Sequence, residues 1–340
     1  MTDPIALLGS DVQGRRPATH LSLSRVGVTG VEKVIRIKAS QPAHPDAQRE
    51  QLFYAELECF VDLGPEQKGA HMSRFEEVVN AAIDEVILGE AFKAETLAAH
   101  IAERVRDGQG GRRAEVTIAA RYPETKLTPA SGSMTQEIYT MFGSAVASAA
   151  GTRRLVGVQA QGMTACPCAQ ELVMERSRER LREGGFTDDE IARVFDAVPV
   201  ATHNQRGIGT LHVGCPEDCE DEIQAETLLE IVEASMSSEI YELMKRSDEV
   251  EVVEKAHTHP RFVEDCVREM VRMASARFAS LGEGAFLSAR QENLETIHKH
   301  NVVAERHGLL GELLRELEGG ERADRHLSMR EWLEAGPSSS

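Results

Sequence analysis

Two cysteines flank a proline in Ala165-Cys166-Pro167-Cys168-Ala169, between a stretch that alternates like a strand and one with helical spacing. Proline fixes its own φ and pushes the residue before it toward extended backbone, so Cys166 is held out of the helical region. Residues two apart on extended backbone point to the same side. Both thiols are then set together near a helix N-terminus, where the dipole favours thiolate. Metal ligation and nucleophilic chemistry are open to such a pair, and so is plain burial. A second chemical stretch is Thr202-His203-Asn204-Gln205-Arg206-Gly207. Consecutive hydrogen-bonding side chains that run into an apolar strand need partners, unless they form a surface loop. The third is His298-Lys299-His300, with two imidazoles two residues apart, for which an exposed turn is the more ordinary reading.

Imidazole and thiolate suit zinc or ferrous iron, and carboxylate is acceptable to both. One Cys-x-Cys and one His-x-His far apart do not make a zinc finger, so an open catalytic site with a bound water fits better than a closed structural one. Cys215 and Cys219 flank Pro216-Glu217-Asp218 in an acidic loop with no His or Cys pair nearby, and read as incidental. Glu264 follows Pro260 at a helix start, where an acid is also ordinary capping. Asp248-Glu249 follows Lys245-Arg246 and reads as a helix end with neighbouring charges. Lys68, His71 and Arg74 gather positive charge as a candidate phosphate patch. A Walker A loop, a G-x-G-x-x-G after a strand and a G-x-S-x-G elbow are all missing, which removes most support for ATP-driven, dinucleotide and serine-hydrolase chemistry.

These residues hang on a pattern of alternating α and β segments. VEKVIRIK (31–38) favours a strand over its last four positions, 41–50 a loop, and LFYAELECFVDL (52–63) a long strand ended by Gly64-Pro65. From Ser73, a candidate N-cap with Glu76 as its box partner, Phe75, Val78, Val79, Ala82, Ile83 and Val86 fall at helical spacing. A second helix is expected over roughly 91–106, then a strand at 113–121 and a connection over 123–134. The pattern partly recurs: a strand at 155–163, helices at 171–181 and 187–198 (the latter opened by a Thr187/Glu190 capping box), and a strand at 207–213. Helices at 224–245 and 261–280 follow, and a short amphipathic helix at 308–318; RQENLETIH has no clear pattern. The order divides the chain into an arm (1–20), two similar α+β halves (21–135 and 136–307, the second carrying all three motifs) and a C-terminal helix and tail (308–340).

Length and charge set the outer bounds. The 340 residues are natural for two domains or one large one. The 56 acidic against 38 basic residues give −18, which disfavours a nucleic-acid or anionic-membrane partner while leaving room for a small anionic substrate held by a few local cations. The N-terminus makes a poor signal peptide and no run of about 18 apolar residues occurs, so no membrane span is expected. Six scattered cysteines do not make a secreted disulfide scaffold, and a soluble, reduced, cytoplasmic protein is expected.

Taken together, several stretches resemble the GTP cyclohydrolase family that includes the archaeal type IV and bacterial type IB enzymes. They are DVQ (11–13), LSLSRVGVTG (21–30), FVDLGPEQKGAHMSR (60–74), GMTACPCAQ (162–170), ATHNQRGIGT (201–210), SMSSEIYELMKRSDE (235–249), HPRFVEDCVREM (259–270) and ETIHKHNVVAER (295–306). The forms ACPCAQ and HNQRGIG look like the type IV branch, since type IB more usually has Cys-Pro-Cys-Ser-Lys and His-Asn-Gln-Arg-Ser.

The resemblance implies an α+β tunnelling fold (T-fold), bimodular, with antiparallel sheets and helices on one face. Subunits would assemble as a homodimer or homotetramer with sites at interfaces. It implies that the guanine imidazole ring of GTP is opened, C8 leaves as formate and the product recloses as a dihydropterin. For type IV the metal is Fe(2+), with Zn(2+) or Mn(2+) able to occupy the same donors, and the product is 7,8-dihydroneopterin 2′,3′-cyclic phosphate; for type IB it is dihydroneopterin triphosphate. Carried over by motif, His203 and His300 are the first metal ligands, with Cys166 or Cys168 and Glu249 completing the set. The cysteine that does not bind metal is catalytic or structural, and His298 is a nearby proton carrier. Glu264 grips the guanine edge through the ring N–H and the amine. Lys68, His71, Arg74 and Arg206 meet the triphosphate. The alternative outside catalysis is a pterin- or metal-binding module that keeps the fold.

Overall fold

A computed structural model describes residues 12–38, 50–86, 93–216, 223–320 and 322–335. Eight long strands, β1 (Leu23–Lys38), β2 (Glu50–Leu63), β3 (Arg113–Leu127), β4 (Met134–Ser148), β5 (Gly151–Ala165), β6 (Asn204–Cys215), β8 (Phe286–Leu294) and β9 (Val302–Leu309), form one antiparallel sheet in the order β1-β2-β3-β4-β5-β6-β8-β9. The two-residue β7 (Ser238–Glu239) pairs with the end of β5 and makes nine.

The single nine-stranded sheet corrects the expected bimodular tunnelling fold with antiparallel sheets and helices on one face. β4 and β5 pair directly from Thr140↔Gln159 to Ser148↔Gly151, so hydrogen bonding runs without a break across the middle of the chain. The coarser α+β reading stands.

The helices α1 (Met72–Val86), α2 (Ala94–Gln109), α5 (Ala225–Ala234), α6 (Arg246–Thr258), α7 (Val263–Arg277) and α8 (Leu310–Leu317) complete the main layer. Strand alternation supplies the apolar face they cover: in β2, Phe53, Ala55, Leu57, Cys59, Val61 and Leu63 are buried, while residues between them reach solvent. One core lies under α1 and α2, with Phe75, Val79, Leu97 and Ile101 against Leu57 and Ile118. A second lies under α5, α7 and α8, with Leu228, Val232, Met270 and Leu313 against Val158, Leu211 and Leu287. Gly143 allows α2 to approach: a Cβ there would lie 2.1 Å from the Ala94 carbonyl carbon.

Helices do not lie on one face alone. The short α9 (Met329–Glu334) returns to the opposite face, where Trp332 stacks on Phe286 and meets Leu155, residues that alternate with the Val156 and Leu287 of the second core. The remaining pair, α3 (Pro167–Glu183) and α4 (Asp188–Ala197), fills the interval between Cys166 and His203; α3 buries none of its residues. The Thr187/Glu190 capping box opens α4 as expected.

Other expectations are adjusted. Helix α1 begins at Met72, which places Ser73 inside the first turn and not at the N-cap. The expected helix 224–245 stops at Ala234 because Ser235, Ser237 and Ser238, all fully or almost fully buried, turn the chain into β7. Half of the 123–134 connection is strand, with residues 128–133 as the turn between β3 and β4. The expected loop at 41–50 and the start of the arm fall largely outside the described residues. Among described residues, no helix is long and apolar enough to cross a membrane.

Candidate functional site

The site grows from three adjacent strand ends. Antiparallel pairing of Ala165 with Asn204 and of Arg206 with Leu294 puts the end of β5, the start of β6 and the end of β8 side by side. The segments that carry the motifs continue from these ends. Cys166 N-caps α3 with Pro167 in the first turn, and its Sγ accepts from Ala169 N at 3.5 Å. Its own N–H donates to His203 O at 3.2 Å, which ties the two motifs together by backbone. The β8–β9 connection brings His298 against His203, with ring centroids 6.5 Å apart and nearly perpendicular, and stacks His300 on His298 at 5.4 Å. The three histidines and Cys166 thus share one end of the sheet, a juxtaposition that spacing in sequence could not establish.

The backbone around His203 is held from below. Gln170 of α3 donates to Val200 O and to His257 O, both at 2.7 Å. The His257 ring Nε2 lies 3.3 Å from Thr202 O, and Arg261 N–H donates to Ala165 O at 3.1 Å. The ring of His203 contacts Gln205, whose amide nitrogen is 3.0 Å from Nδ1 and also 3.2 and 3.3 Å from the carboxylate oxygens of Glu295. Sequence reasoning gave neither Gln205 nor Glu295 a role; the available signal was that Glu295 precedes the His-x-His by three residues and that Gln205 follows His203 by two.

Other expected residues lie elsewhere in the chain. Glu249 is exposed on the first turn of α6, eight residues before His257, or about 12 Å along the helix axis. Its neighbour Asp248 is fully buried and accepts from Ala130 N, Ser131 N, Ser131 Oγ and Lys245 N at 2.7–2.9 Å. Burial pushes that carboxyl up, but the hydrogen bonds outweigh it and hold it well below the usual carboxylate range. Reading Asp248-Glu249 as a helix end is therefore corrected: they open α6, and Asp248 fastens it to the β3–β4 turn.

Glu264 stands exposed on the first turn of α7 at a cleft of about 500 Å³ shared with Ala304 and Arg306 of β9 and Leu313 of α8. A cleft of that size suits a nucleobase and sugar. Arg206 is exposed on β6, with Nη1 donating to Gln161 Oε1 at 3.3 Å; by alternation it points to the face opposite Gln205.

The patch of Lys68, His71 and Arg74 is at the other end of the sheet. Lys68 N–H donates to Gln13 O and Arg15 O, His71 and Gln109 exchange backbone–amide bonds, and Arg74 donates to Gly108 O. The row through Val61 runs by Ala114 and Ala147 to Thr152, next to the Arg154↔Cys215 pair at the far end of β6. The 12 residues of β6 then put roughly 40 Å between patch and histidines.

Among the thiols, burial pushes Cys59 and Cys266 up to about 12, whereas Cys168 is exposed and Cys166 partly so. Cys215 is disulfide-bonded, which departs from a wholly reduced chain. The imidazole and thiol donors fit zinc or ferrous iron in kind. Among described residues, no three His, Cys, Asp or Glu side chains are placed to hold an ion together, so the donor set of one chain is incomplete as it stands.

Comparison with known proteins adds an independent line. The family described as "GCHY-1: Type I GTP cyclohydrolase folE2" matches residues 10–304. Proteins named "GTP cyclohydrolase MptA" are similar over nearly their whole length. The one from Methanococcus aeolicus is 39% identical, covering 90% of this chain and 99% of its own. That from Methanocaldococcus jannaschii is 39% identical, with 90% and 97% covered, and that from Methanothermobacter thermautotrophicus 40% identical, with 91% and 96% covered. Among solved structures, uricase from Arthrobacter globiformis follows a similar course at 8% identity with a TM-score of 0.48, covering 89% of this chain and 96% of that chain. That likeness is too slight to bear on chemistry.

Proposed function

The chain belongs to the type I GTP cyclohydrolase family, and we propose that it opens the guanine imidazole ring of GTP, releases C8 as formate and forms 7,8-dihydroneopterin 2′,3′-cyclic phosphate. The observation that carries this reading is the gathering of His203, His298 and His300 beside Cys166 at one end of three neighbouring strands. Similarity to proteins named GTP cyclohydrolase MptA supports it, as do the ACPCAQ and HNQRGIG forms of the motifs.

His203, His300 and Cys166, with Glu249, would hold Fe(II), with Zn(II) or Mn(II) suited to the same donors. When bound, the metal supplies Lewis acidity that makes a water acidic enough to attack C8 near neutral pH. His298, stacked on His300, carries protons to and from the opened ring, a task suited to imidazole. Glu264 accepts from the guanine ring N–H and the exocyclic amine at the mouth of its cleft. Lys68, His71, Arg74 and Arg206 neutralise the triphosphate, and Cys168, exposed at the start of α3, is the second thiol within the site. Phosphorus balance requires diphosphate to leave as the cyclic monophosphate closes.

The site is completed between copies of the chain. Lys68, His71 and Arg74 lie a strand's length from His203, and Glu249 stands off along α6, so a second copy in a homodimer or homotetramer supplies what one chain holds apart. Water-soluble GTP is the partner; neither nucleic acid nor membrane is needed by a chain of net charge −18 working in the cytoplasm.

Anaerobic incubation with GTP and Fe(II), Mn(II) or Zn(II) tests the reading. Formate, diphosphate and a pterin phosphate resistant to monoesterase are expected, and His203→Asn or His300→Asn should abolish all of them with the fold intact. A triphosphate product would overturn the assignment of the product, and absence of formate with every metal would overturn the activity.

A further inference from the structure

Helix α3 starts at the two thiols of the site, yet apolar packing does not hold it there. It buries none of its residues, so its place beside His203 has to come from directed bonds. Several of its side chains reach no further than α3 and α4: Arg178 lies over the Phe195 ring, Arg182 pairs with Asp188, and Ser177 bonds back to Val173 O. Gln170, one turn after Cys166, reaches the other way. Its amide nitrogen donates to Val200 O and to His257 O, both at 2.7 Å. Val200 lies in the irregular segment before β6, and His257 is among the last four residues of α6, whose carbonyls have no partner within the helix. An amide carries two N–H groups, so one side chain satisfies both oxygens and ties three segments together. They are the start of α3, the approach to His203 and the end of α6. Backbone bonds from Cys166 N–H to His203 O at 3.2 Å and from Arg261 N–H to Ala165 O at 3.1 Å complete the seam. Those bonds fix the chain at Cys166 but not the direction that α3 takes from it. The His257 ring is no substitute, because a neutral imidazole has one N–H, and Val253 O within α6 is nearer at 2.9 Å than Thr202 O at 3.3 Å.

We propose that Gln170 is a positioning residue: by sharing its amide nitrogen between Val200 O and His257 O it sets the direction of α3, and so the place of Cys166 and Cys168 relative to His203. The inference rests on the proposed activity, in which these groups serve one substrate. Both tethers come from a single planar amide, so its loss releases both at once. Helix α3 then swings about Cys166 without disturbing either main core, since neither contains a residue of α3. A misplacement of about 1 Å at a reacting group can cost roughly 100-fold in rate, which is how a side chain that touches no substrate governs the reaction.

The test is Gln170→Met, close in shape and without donors, read in two ways on the full chain. In hydrogen–deuterium exchange followed by mass spectrometry, peptides covering 166–183 and 199–204 should exchange about 10-fold faster than in wild type, while those of α2 stay unchanged. In steady-state kinetics, kcat for formate release should fall about 10–100-fold with KM for GTP within about threefold, because the groups that bind GTP are untouched. Gln170→Lys, whose ammonium can donate to both carbonyls, should return exchange and kcat to within about fivefold of wild type. If Gln170→Met does not fold, Gln170→Asn, too short to reach both oxygens, should show the same local pattern to a smaller degree. Unchanged exchange in Gln170→Met, faster exchange that extends to α2, or local loosening with an unchanged kcat each overturns the inference. So does a Gln170→Lys protein no better than Gln170→Met. Failure of the proposed activity is distinguishable: a wild-type chain that releases no formate, with exchange loosened locally in Gln170→Met, sinks the activity and leaves the clamp, whereas formate release by Gln170→Met at the wild-type rate sinks this inference alone.

Discussion

His212 should make the stability of this protein fall as the solution is acidified. The residue lies in β6 on the face opposite the main helical layer. Its ring rests on Gly157 of the neighbouring strand, where a Cβ would come within 2.2 Å of Cδ2, and it packs beside Phe142 with centroids 5.4 Å apart. Burial pushes the imidazole down from 6.5 to about 4. Between those values the unfolded chain binds a proton that the folded chain refuses, so stability rises with pH across the window and is fully present above about 6.5. The difference 6.5 − 4 is 2.5 pH units, worth at most about 3 kcal/mol at 1.36 kcal/mol per unit. The ring keeps some contact with solvent, which reduces the expected contribution to about 1–2 kcal/mol.

The perturbation is His212→Gln, which keeps a polar side chain of similar reach and does not titrate in this range. Urea midpoints measured from pH 7.5 down to pH 4 give the stability of each protein, with the slope of unfolding free energy on urea held common. The variant starts lower at pH 7.5 because packing on Gly157 and Phe142 is lost. Its decline on acidification should be shallower than that of wild type by about 1–2 kcal/mol over the window. Parallel curves would refute the reasoning, since they would show that His212 takes up its proton equally in the folded and unfolded chain.

Three further outcomes follow from other contacts. Gly143→Ala should destabilise by about 1–3 kcal/mol in the same urea assay, because the new Cβ meets α2 backbone that has no rotamer to yield. Timed alkylation with iodoacetamide at pH 7.5, mapped by mass spectrometry, should modify Cys168 first and leave Cys59 and Cys266 untouched in the folded chain, since burial holds their thiols near 12. Mixing inactive His203→Asn with an inactive Lys68→Ala/Arg74→Ala protein should restore roughly a quarter of wild-type formate release if each site of a dimer takes residues from two copies; a mixture as inactive as its components would show that the two groups serve one chain.

How far the sequence disclosed this arrangement depended on how local each signal was. The Thr187/Glu190 box and the long strand β2 were legible because a cap needs only four residues and β2 has one covered face, which leaves strict alternation. Strand β4 escaped notice for the opposite reason: from Gly143 to Ala147 it is buried on both faces and built from small residues, so no alternation survives. β8 was obscured by Gln291 and Asn293, polar side chains buried at 0% and 3% that read as loop. Helix α5 ends where Ser235 bonds back to Val232 O, a tertiary arrangement in which composition alone gives no stop. The motifs identified the chemical residues but not their grouping. His203, His298 and His300 meet only because β6 and β8 are neighbours although 70 residues separate them in sequence.

The same sheet that gathers the histidines also separates them from the cations expected to meet the phosphates, and its hydrogen bonding explains why no internal motion repairs this. Bringing Lys68 to His203 within one chain would mean sliding β2 past β3 and β4 past β5, which breaks ladders whose registers each fix every side chain to a face. A slip of one residue would turn Leu57 and Val158 from the covered face to the open one and lose both cores. Rigid docking of a second copy costs none of those contacts. The edge strands β1 and β9 are free of a second neighbour among the described strands, and the cleft at Glu264 opens beside β9. An extended sheet that cannot fold its own two ends together is therefore suited to a site whose base-recognising and phosphate-neutralising parts come from different chains, with the acid excess of the surface left outside it.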